Sequence, residues 1–356
     1  MAEGYPYFTL GLETDRPSMC AEDIPTLDTR APGEAMPFEP IKVARKPDTR
    51  PRTDYLPSRE LSHAVNTALV LGMPLLVTGQ PGTGKTELAT AIGRELRCPV
   101  YKFETKSTSQ ARDLFYTYDS MSAFKLGEGG DTRNFITYQA LGRAILETFD
   151  RKRRELATLL PAKDLAGHVQ HRSVVLIDEI DKAPRDFPND LLNEIERLYF
   201  RVPELRNESS PMRGDYGDIP ANLRPIIVIT SNEERGLPPP FLRRCVFFEI
   251  PFPEEREMLD IVERRIRGAG FPDSLVREAV ALFFALRRQG GADEGPSTAE
   301  LLNWMQLLGH RGIRGDRSLR EQSDLVEQSV AALLKSKEAR ARGLDYLRDE
   351  WKIRTP

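Results

Sequence analysis

The chain has 356 residues, with 51 Lys and Arg against 54 Asp and Glu, a formal net charge of −3. That balance gives no footing for non-specific attraction to nucleic acid or to an anionic membrane, and no apolar run approaches the roughly eighteen residues of a membrane span. Hydrophobic residues make up 40% of the chain, enough for a real core, and the length suggests two or three domains. Cys20, Cys98 and Cys245 are odd in number and scattered, so they suggest neither a disulfide framework nor a zinc site. The start, Met1-Ala2-Glu3-Gly4-Tyr5, lacks the basic-then-apolar profile of a secretory leader. A cytoplasmic protein is expected.

Residues 1–54 are punctuated by Pro17, Pro25, Pro32, Pro37, Pro40, Pro47 and Pro51 and read as an extended N-terminal arm. The alternative is an arm that wraps a neighbouring subunit or a partner. From Ser58, a capping residue, Leu61, Val65, Ala68, Leu69 and Leu71 recur at helical spacing up to Gly72. Pro74 to Thr78 then reads as a short apolar strand.

The next eight residues, Gly79, Gln80, Pro81, Gly82, Thr83, Gly84, Lys85 and Thr86, fit G-x-x-x-x-G-K-[ST]. A helix follows from Glu87, which is counted with the same nucleotide-binding segment. Strand, glycine loop and helix are what phosphate binding needs. The glycines let backbone N–H groups approach phosphate oxygens, and the helix N-terminus adds unpaired N–H groups and partial positive charge. In such a loop Lys85 would reach the β- and γ-phosphates of a nucleotide and the Thr86 hydroxyl would hold Mg²⁺.

Pro99 to Phe103 predicts a second strand, and a short helix is expected around Asp113 to Tyr116. Residues 117–134, with Ser120, Gly127, Gly129, Gly130 and Asp131, break the helical pattern, which resumes from Ala140 to Phe149. A loop of that length inside a helical region is expected to be functional. His168 and His171, three residues apart, lack a third ligand nearby and read as part of a solvated loop.

Val174 to Ile177, four apolar and mostly β-branched residues, predict a central parallel strand buried on both faces. It ends in Asp178 and Glu179, where ligands lie in open α/β sheets. Asp178 suits the Mg²⁺ hydration shell, and Glu179 suits activation of a water. Ile226 to Ile229 predict a third buried strand, ending at Thr230-Ser231-Asn232. Asn232 is placed to position the attacking water or to contact the γ-phosphate. Four apolar helical stripes follow Phe252, and residues 336–356 alternate in charge as a solvated helical tail.

Together these residues resemble the AAA+ ATPases and, within them, the MoxR-like branch. Gly79 to Thr86 is similar to Walker A, Val174 to Glu179 to Walker B, and Thr230 to Asn232 to sensor 1. Leu237 to Cys245 resembles the arginine-finger segment. The resemblance implies an α/β fold, a P-loop NTPase parallel sheet flanked by helices, with a C-terminal all-helical lid. The domains would be the arm 1–54, an ATPase core 55–252, a lid 253–335 and the tail 336–356. It implies that 117–134 and roughly 200–222 are the branch's inserts, facing a central pore or a partner. It further implies a homo-oligomeric ring, usually a hexamer, in which Arg244, or Arg243 as the alternative, reaches the next subunit's γ-phosphate. The site residues would be Glu179, Asn232, Arg244 and Lys85 for catalysis, with Thr86 and Asp178 on the metal.

One departure stands out. The segment Pro296 to Leu302 carries no arginine where many relatives have their sensor 2. Either Arg311 or Arg314 substitutes, or that group is absent. The activity implied is ATP hydrolysis that remodels or assembles protein clients, commonly alongside a von Willebrand factor A domain protein. The alternative is an ATP-gated docking module in a signalling or defence complex with little turnover. A nucleic-acid remodeller would share the core, but the near-neutral charge and lack of an appended DNA-binding motif argue against it.

Overall fold

The apolar runs become strands of one sheet. In the computed structural model, which describes residues 55–126, 130–205, 219–232, 237–266 and 271–351, the strands in chain order are β1 (Leu75–Thr78), β2 (Val100–Glu104), β3 (Tyr116–Tyr118), β4 (Ile136–Tyr138), β5 (Val174–Asp178), β6 (Ile226–Thr230) and β7 (Val246–Glu249). Five of them form a sheet in the order β2-β5-β6-β1-β7, with every neighbouring pair parallel. The three central strands are buried along their whole length, whereas the edge strands β2 and β7 alternate between exposed and half-buried. Continuous apolar runs mark strands covered on both faces, and alternation marks edges.

The helices are α1 (Arg59–Leu71), α2 (Lys85–Glu95), α3 (Ser120–Leu126), α4 (Ala140–Leu146), α5 (Arg154–Leu159), α6 (Ala162–Ala166), α7 (Phe187–Arg197), α8 (Pro239–Leu242), α9 (Glu255–Arg265), α10 (Asp273–Glu294), α11 (Thr298–His310), α12 (Ser323–Ser329) and α13 (Lys337–Trp351). Ser58 caps α1 by accepting a hydrogen bond from the Leu61 amide at 3.1 Å. Gly72 closes it in the left-handed region, at φ 65°. On one sheet face Val175, Ile177, Ile227 and Ile229 pack with Leu141 and Ile145 of α4, Leu191 of α7 and Phe241 of α8. The alternate residues Leu75, Val77, Val174, Leu176 and Val228 are equally buried, and α2 packs against β2, β5 and β6.

The region expected as a loop at 117–134 is a small element of its own. β3 and β4 pair antiparallel, and α3 and a 3-10 turn at Thr132–Phe135 lie between them in sequence. Phe200, just after α7, forms only an isolated bridge. The arm 1–54, Gly127 and Gly129 of the insert, and the polar loop at 206–217 lie outside the described residues. Among the described residues no helix is long and apolar enough to cross a membrane.

Packing divides the chain into two compact units. The first comprises Pro57–Thr78 and Lys85–Glu249, and holds the sheet. The second comprises Gly79–Gly84, residues 55–56 and the chain from Ile250 onward. Its core is helical: Trp304 is fully buried and donates its indole N–H to Ser329 at 2.8 Å. It packs among Met258, Val262, Phe283, Met305 and Val330. The charged tail forms α13, which buries Ala339 and Leu347 in this core, a narrow apolar face hidden by the alternating charge.

Candidate functional site

The phosphate-loop segment follows β1. Its glycines adopt backbone conformations that side chains rarely reach, with φ of +138° at Gly79, +80° at Gly82 and +91° at Gly84. A Cβ at Gly79 would lie 2.5 Å from the carbonyl oxygen of Ile250, and one at Gly82 would lie 2.6 Å from the Ser297 Cβ. Both position and conformation therefore demand glycine. The Gln80 carbonyl accepts from the Thr83 hydroxyl at 2.9 Å, which closes the turn over Pro81 and Gly82.

Lys85 opens α2 and is only 7% exposed. Burial pushes its ammonium below the usual lysine range, opposed by the charges of Asp181, Asp178 and Glu179. The next residue, Thr86, donates its hydroxyl to Asp178 at 3.0 Å across 92 positions of sequence. Glu87 lies in the first turn of α2.

Asp178 is the hub. Its carboxylate accepts from Thr86, from the Thr230 hydroxyl at 2.6 Å and from the Lys102 ammonium at 2.9 Å. Burial alone would raise its pKa. The bonds from Thr230, Lys102 and Thr86 outweigh that and hold it below the usual aspartate range, so Asp178 is ionised. Lys102, on edge strand β2, also pairs with Glu104 at 2.8 Å.

Glu179 sits just beyond β5 in the left-handed region at φ 57°, a strained conformation for a side-chain-bearing residue. Its amide donates to the Thr230 hydroxyl at 2.9 Å. Thr230 thus donates to Asp178 and accepts from Glu179. The Glu179 carboxylate pairs with Lys182, and both side chains reach solvent. Asn232 follows β6; its amide donates to Asp181 at 3.0 Å, and its side-chain amide is 3.5 Å from the other Asp181 oxygen. Arg244 follows α8 with its guanidinium on Glu196 of α7 at 2.6 Å, and Arg243 is exposed beside it.

In the helical unit, Arg311 closes α11 and donates to Gln328 at 3.3 Å, and Arg314 pairs with Asp316 at 2.8 Å. The phosphate-loop glycine Gly82 abuts Ser297, at the opposite end of α11. A helix of 13 residues puts Arg311 about 20 Å from that end.

The sheet therefore brings together Lys85, Thr86, Asp178 and Glu179. It adds three groups that sequence reasoning missed: Thr230, Lys102 and Asp181. Thr230 was findable, because β5 and β6 run parallel with Ile177 opposite Ile229, which sets Asp178 beside Thr230. The donor set fits a nucleotide triphosphate with Mg²⁺. A glycine loop leads into a helix N-terminus and a buried lysine, and a hydroxyl lies against an ionised carboxylate. Mg²⁺ is commonly held by one or two such protein oxygens, with phosphate oxygens and water completing the shell.

Residues 74–245 match the family profile of the AAA domain, dynein-related subfamily. The chain is 24% identical over 201 residues to the mitochondrial Lon protease homolog of Aspergillus fumigatus, a match covering 56% of this chain and 15% of that protein. Among solved structures it is similar to the RuvB Holliday junction branch migration motor of Thermotoga maritima, at 16% identity and a TM-score of 0.43 over 83% of this chain and 75% of that one. A mutant of the same motor gives a TM-score of 0.45 at 15% identity, with the same coverage. Residues 74–245, which hold the glycine loop and the five-stranded sheet apart from β7, are thus similar to the AAA domain of the dynein-related subfamily.

Proposed function

We propose that this chain is a Mg²⁺-dependent ATP hydrolase of the MoxR-like branch whose turnover remodels or assembles protein clients. The observation that carries hydrolysis is the placement of Asp178 and Glu179. The first is ionised and bonded to Thr86, while the second turns its carboxylate toward solvent from a strained backbone. When bound, Mg²⁺ withdraws charge from the β- and γ-phosphate oxygens. Thr86 and Asp178 would hold it. Lys85 draws the phosphates in and offsets their charge. Glu179 orients a water and takes its proton, and Asn232 positions that water or meets the γ-phosphate. Arg244 completes a neighbour's site in a ring, for which a hexamer is the family's usual form.

The insert carrying β3, α3 and β4 supports a client-facing role. Met121 and Phe124, one helical turn apart on α3, are 69% and 87% exposed. A protein client, or a von Willebrand factor A domain partner, is the occupant that the resemblance to this branch suggests. The test is steady-state phosphate release by wild type, Lys85→Ala and Glu179→Gln, followed by identification of proteins retained by Glu179→Gln in ATP. Phosphate release that Glu179→Gln leaves unchanged would sink the reading.

The second reading, an ATP-gated docking module with little turnover, is favoured by one observation. Both proposed catalytic side chains that face solvent, Glu179 and Arg244, are engaged within the same protomer by Lys182 and Glu196. Phosphate release measured with and without a partner separates the two. A docking module binds ATP and stays slow in both.

A further inference from the structure

The start of α11 has no arginine, and Arg311 and Arg314 are committed elsewhere. A different arginine of the helical unit reaches the phosphate loop. Arg287, in α10, donates one arm of its guanidinium to the Gln80 side-chain oxygen and the other to the Pro296 carbonyl at 2.7 Å. Its plane lies over the Phe252 ring, 3.6 Å from the centroid. Three segments distant in sequence meet on one half-buried side chain: the loop, the chain after β7 and the approach to α11. A planar fork that can stack and donate twice suits that junction, and a lysine would satisfy only part of it.

The contact falls where it matters for loop shape. Gln80 begins the turn whose carbonyl holds Thr83. The same loop touches the helical unit again at Gly82, against Ser297, and at Gly84, where a Cβ would come within 3.1 Å of the Tyr55 ring. Three glycines at positive φ give this loop wide freedom in the absence of restraint. A binding loop held beforehand in its bound shape loses less entropy when the ligand arrives.

We propose that Arg287 is the positioning residue that holds the phosphate loop in its nucleotide-ready shape through Gln80, and that it takes over in this chain the link between lid and loop left open by the arginine-free start of α11. The inference rests on the nucleotide reading above. It makes Arg287 the group through which occupancy of the loop is felt by α10 and α11.

The experiment uses the full chain in three variants: Arg287→Met, which keeps an apolar stem over Phe252 and removes the fork; Gln80→Met, which removes only the acceptor; and the pair together. Two quantities are measured: the Kd for MgADP, and amide exchange of residues 82–84 without nucleotide. Each single variant is expected to weaken MgADP about tenfold, the scale of one hydrogen bond to a charged group. The double variant is expected to be no weaker than either single one, and loop exchange is expected to speed up in all three. Wild-type affinity in Arg287→Met, or losses that multiply to about a hundredfold in the double variant, overturns the proposal. Should Arg287→Met fail to fold, Gln80→Met decides with the same two readouts, because it leaves the helical core intact. Wild-type protein that binds no MgADP overturns the nucleotide reading itself, a result distinct from variants that bind as well as wild type.

Discussion

Glu179 and Lys182 form an ion pair across one turn of chain, carboxylate oxygen to ammonium nitrogen at 2.5 Å, with the side chains 42% and 54% exposed. For Glu179 to act on a water, this pair must part. An exposed pair contributes about 0–1 kcal/mol, so Lys182 would restrain such a step only mildly. Lys182→Met is expected to raise phosphate release by no more than about fivefold. Glu179→Gln should keep ATP binding and lose roughly 10²–10⁴-fold in turnover, the scale of a positioned acid or base. Single-turnover kinetics with labelled ATP separate binding from chemistry. A Lys182→Met protein as slow as Glu179→Gln would make Lys182 part of the machinery instead.

Arg244 is similarly engaged, with its guanidinium on Glu196 of the same chain and both side chains close to half exposed. A finger serving a neighbour must leave that contact on assembly. Arg244→Ala is expected to bind ATP normally in each protomer and to lose about 10³-fold in turnover when assembled. Mixing it with Glu179→Gln provides the decisive check. Interfaces that join an intact Glu179 to an intact Arg244 from the other variant should regain activity. Mixtures no faster than their components would remove Arg244 from the in-trans role.

How much of this was readable beforehand follows from what each feature depends on. β5 and β6 were visible because burial on both faces writes an unbroken apolar run into the chain. The glycine loop was visible because positive φ selects glycine. Lys102 and Arg287 were not visible. Each acts through a long flexible side chain on an edge strand or a helix, and nothing local in sequence marks where its charged end arrives. His171 illustrates the same gap. It read as part of a solvated loop, yet its ring is 2.9 Å from the buried Glu147, a partner 24 positions earlier. His168 likewise meets the Phe149 carbonyl at 2.9 Å.

Glu147 yields a pH-dependent prediction. Its carboxylate accepts from the Tyr101 hydroxyl at 2.8 Å and Arg143 at 3.0 Å, and the His171 ring lies on its other oxygen. Burial alone would raise its pKa; His171, Tyr101 and Arg143 outweigh that and hold it below the ordinary 4.5. A carboxylate with a lowered folded-state pKa contributes stability that is present above the unfolded value and lost as pH falls through the folded one. Wild-type stability should therefore fall as pH drops below 4.5. Glu147→Gln, uncharged throughout, should be less stable by about 3 kcal/mol at pH 7 and show a flatter acid limb. Urea titrations from pH 7 to pH 3 measure both. A constant gap across that range would show that charge is not what the cluster supplies.

Gly142 joins packing to the site. It lies in α4, which packs against both β2 and β5, the strands bearing Lys102 and Asp178. A Cβ there would stand 2.0 Å from the Phe115 carbonyl oxygen, which already accepts from the Gln139 amide at 2.9 Å. Helix propensity alone favours alanine over glycine by about 1 kcal/mol. The clash is with backbone, which cannot rotate away, so overpacking wins. Gly142→Ala is expected to cost about 3 kcal/mol, read as a lower urea midpoint. Gly312 is the control: its φ is +75° and a Cβ would meet nothing within 4 Å. Alanine there bears only backbone strain, about 1–2 kcal/mol. If the two variants were equally destabilised, the close approach of α4 to Phe115 would not be what fixes α4 against the strand that carries Asp178.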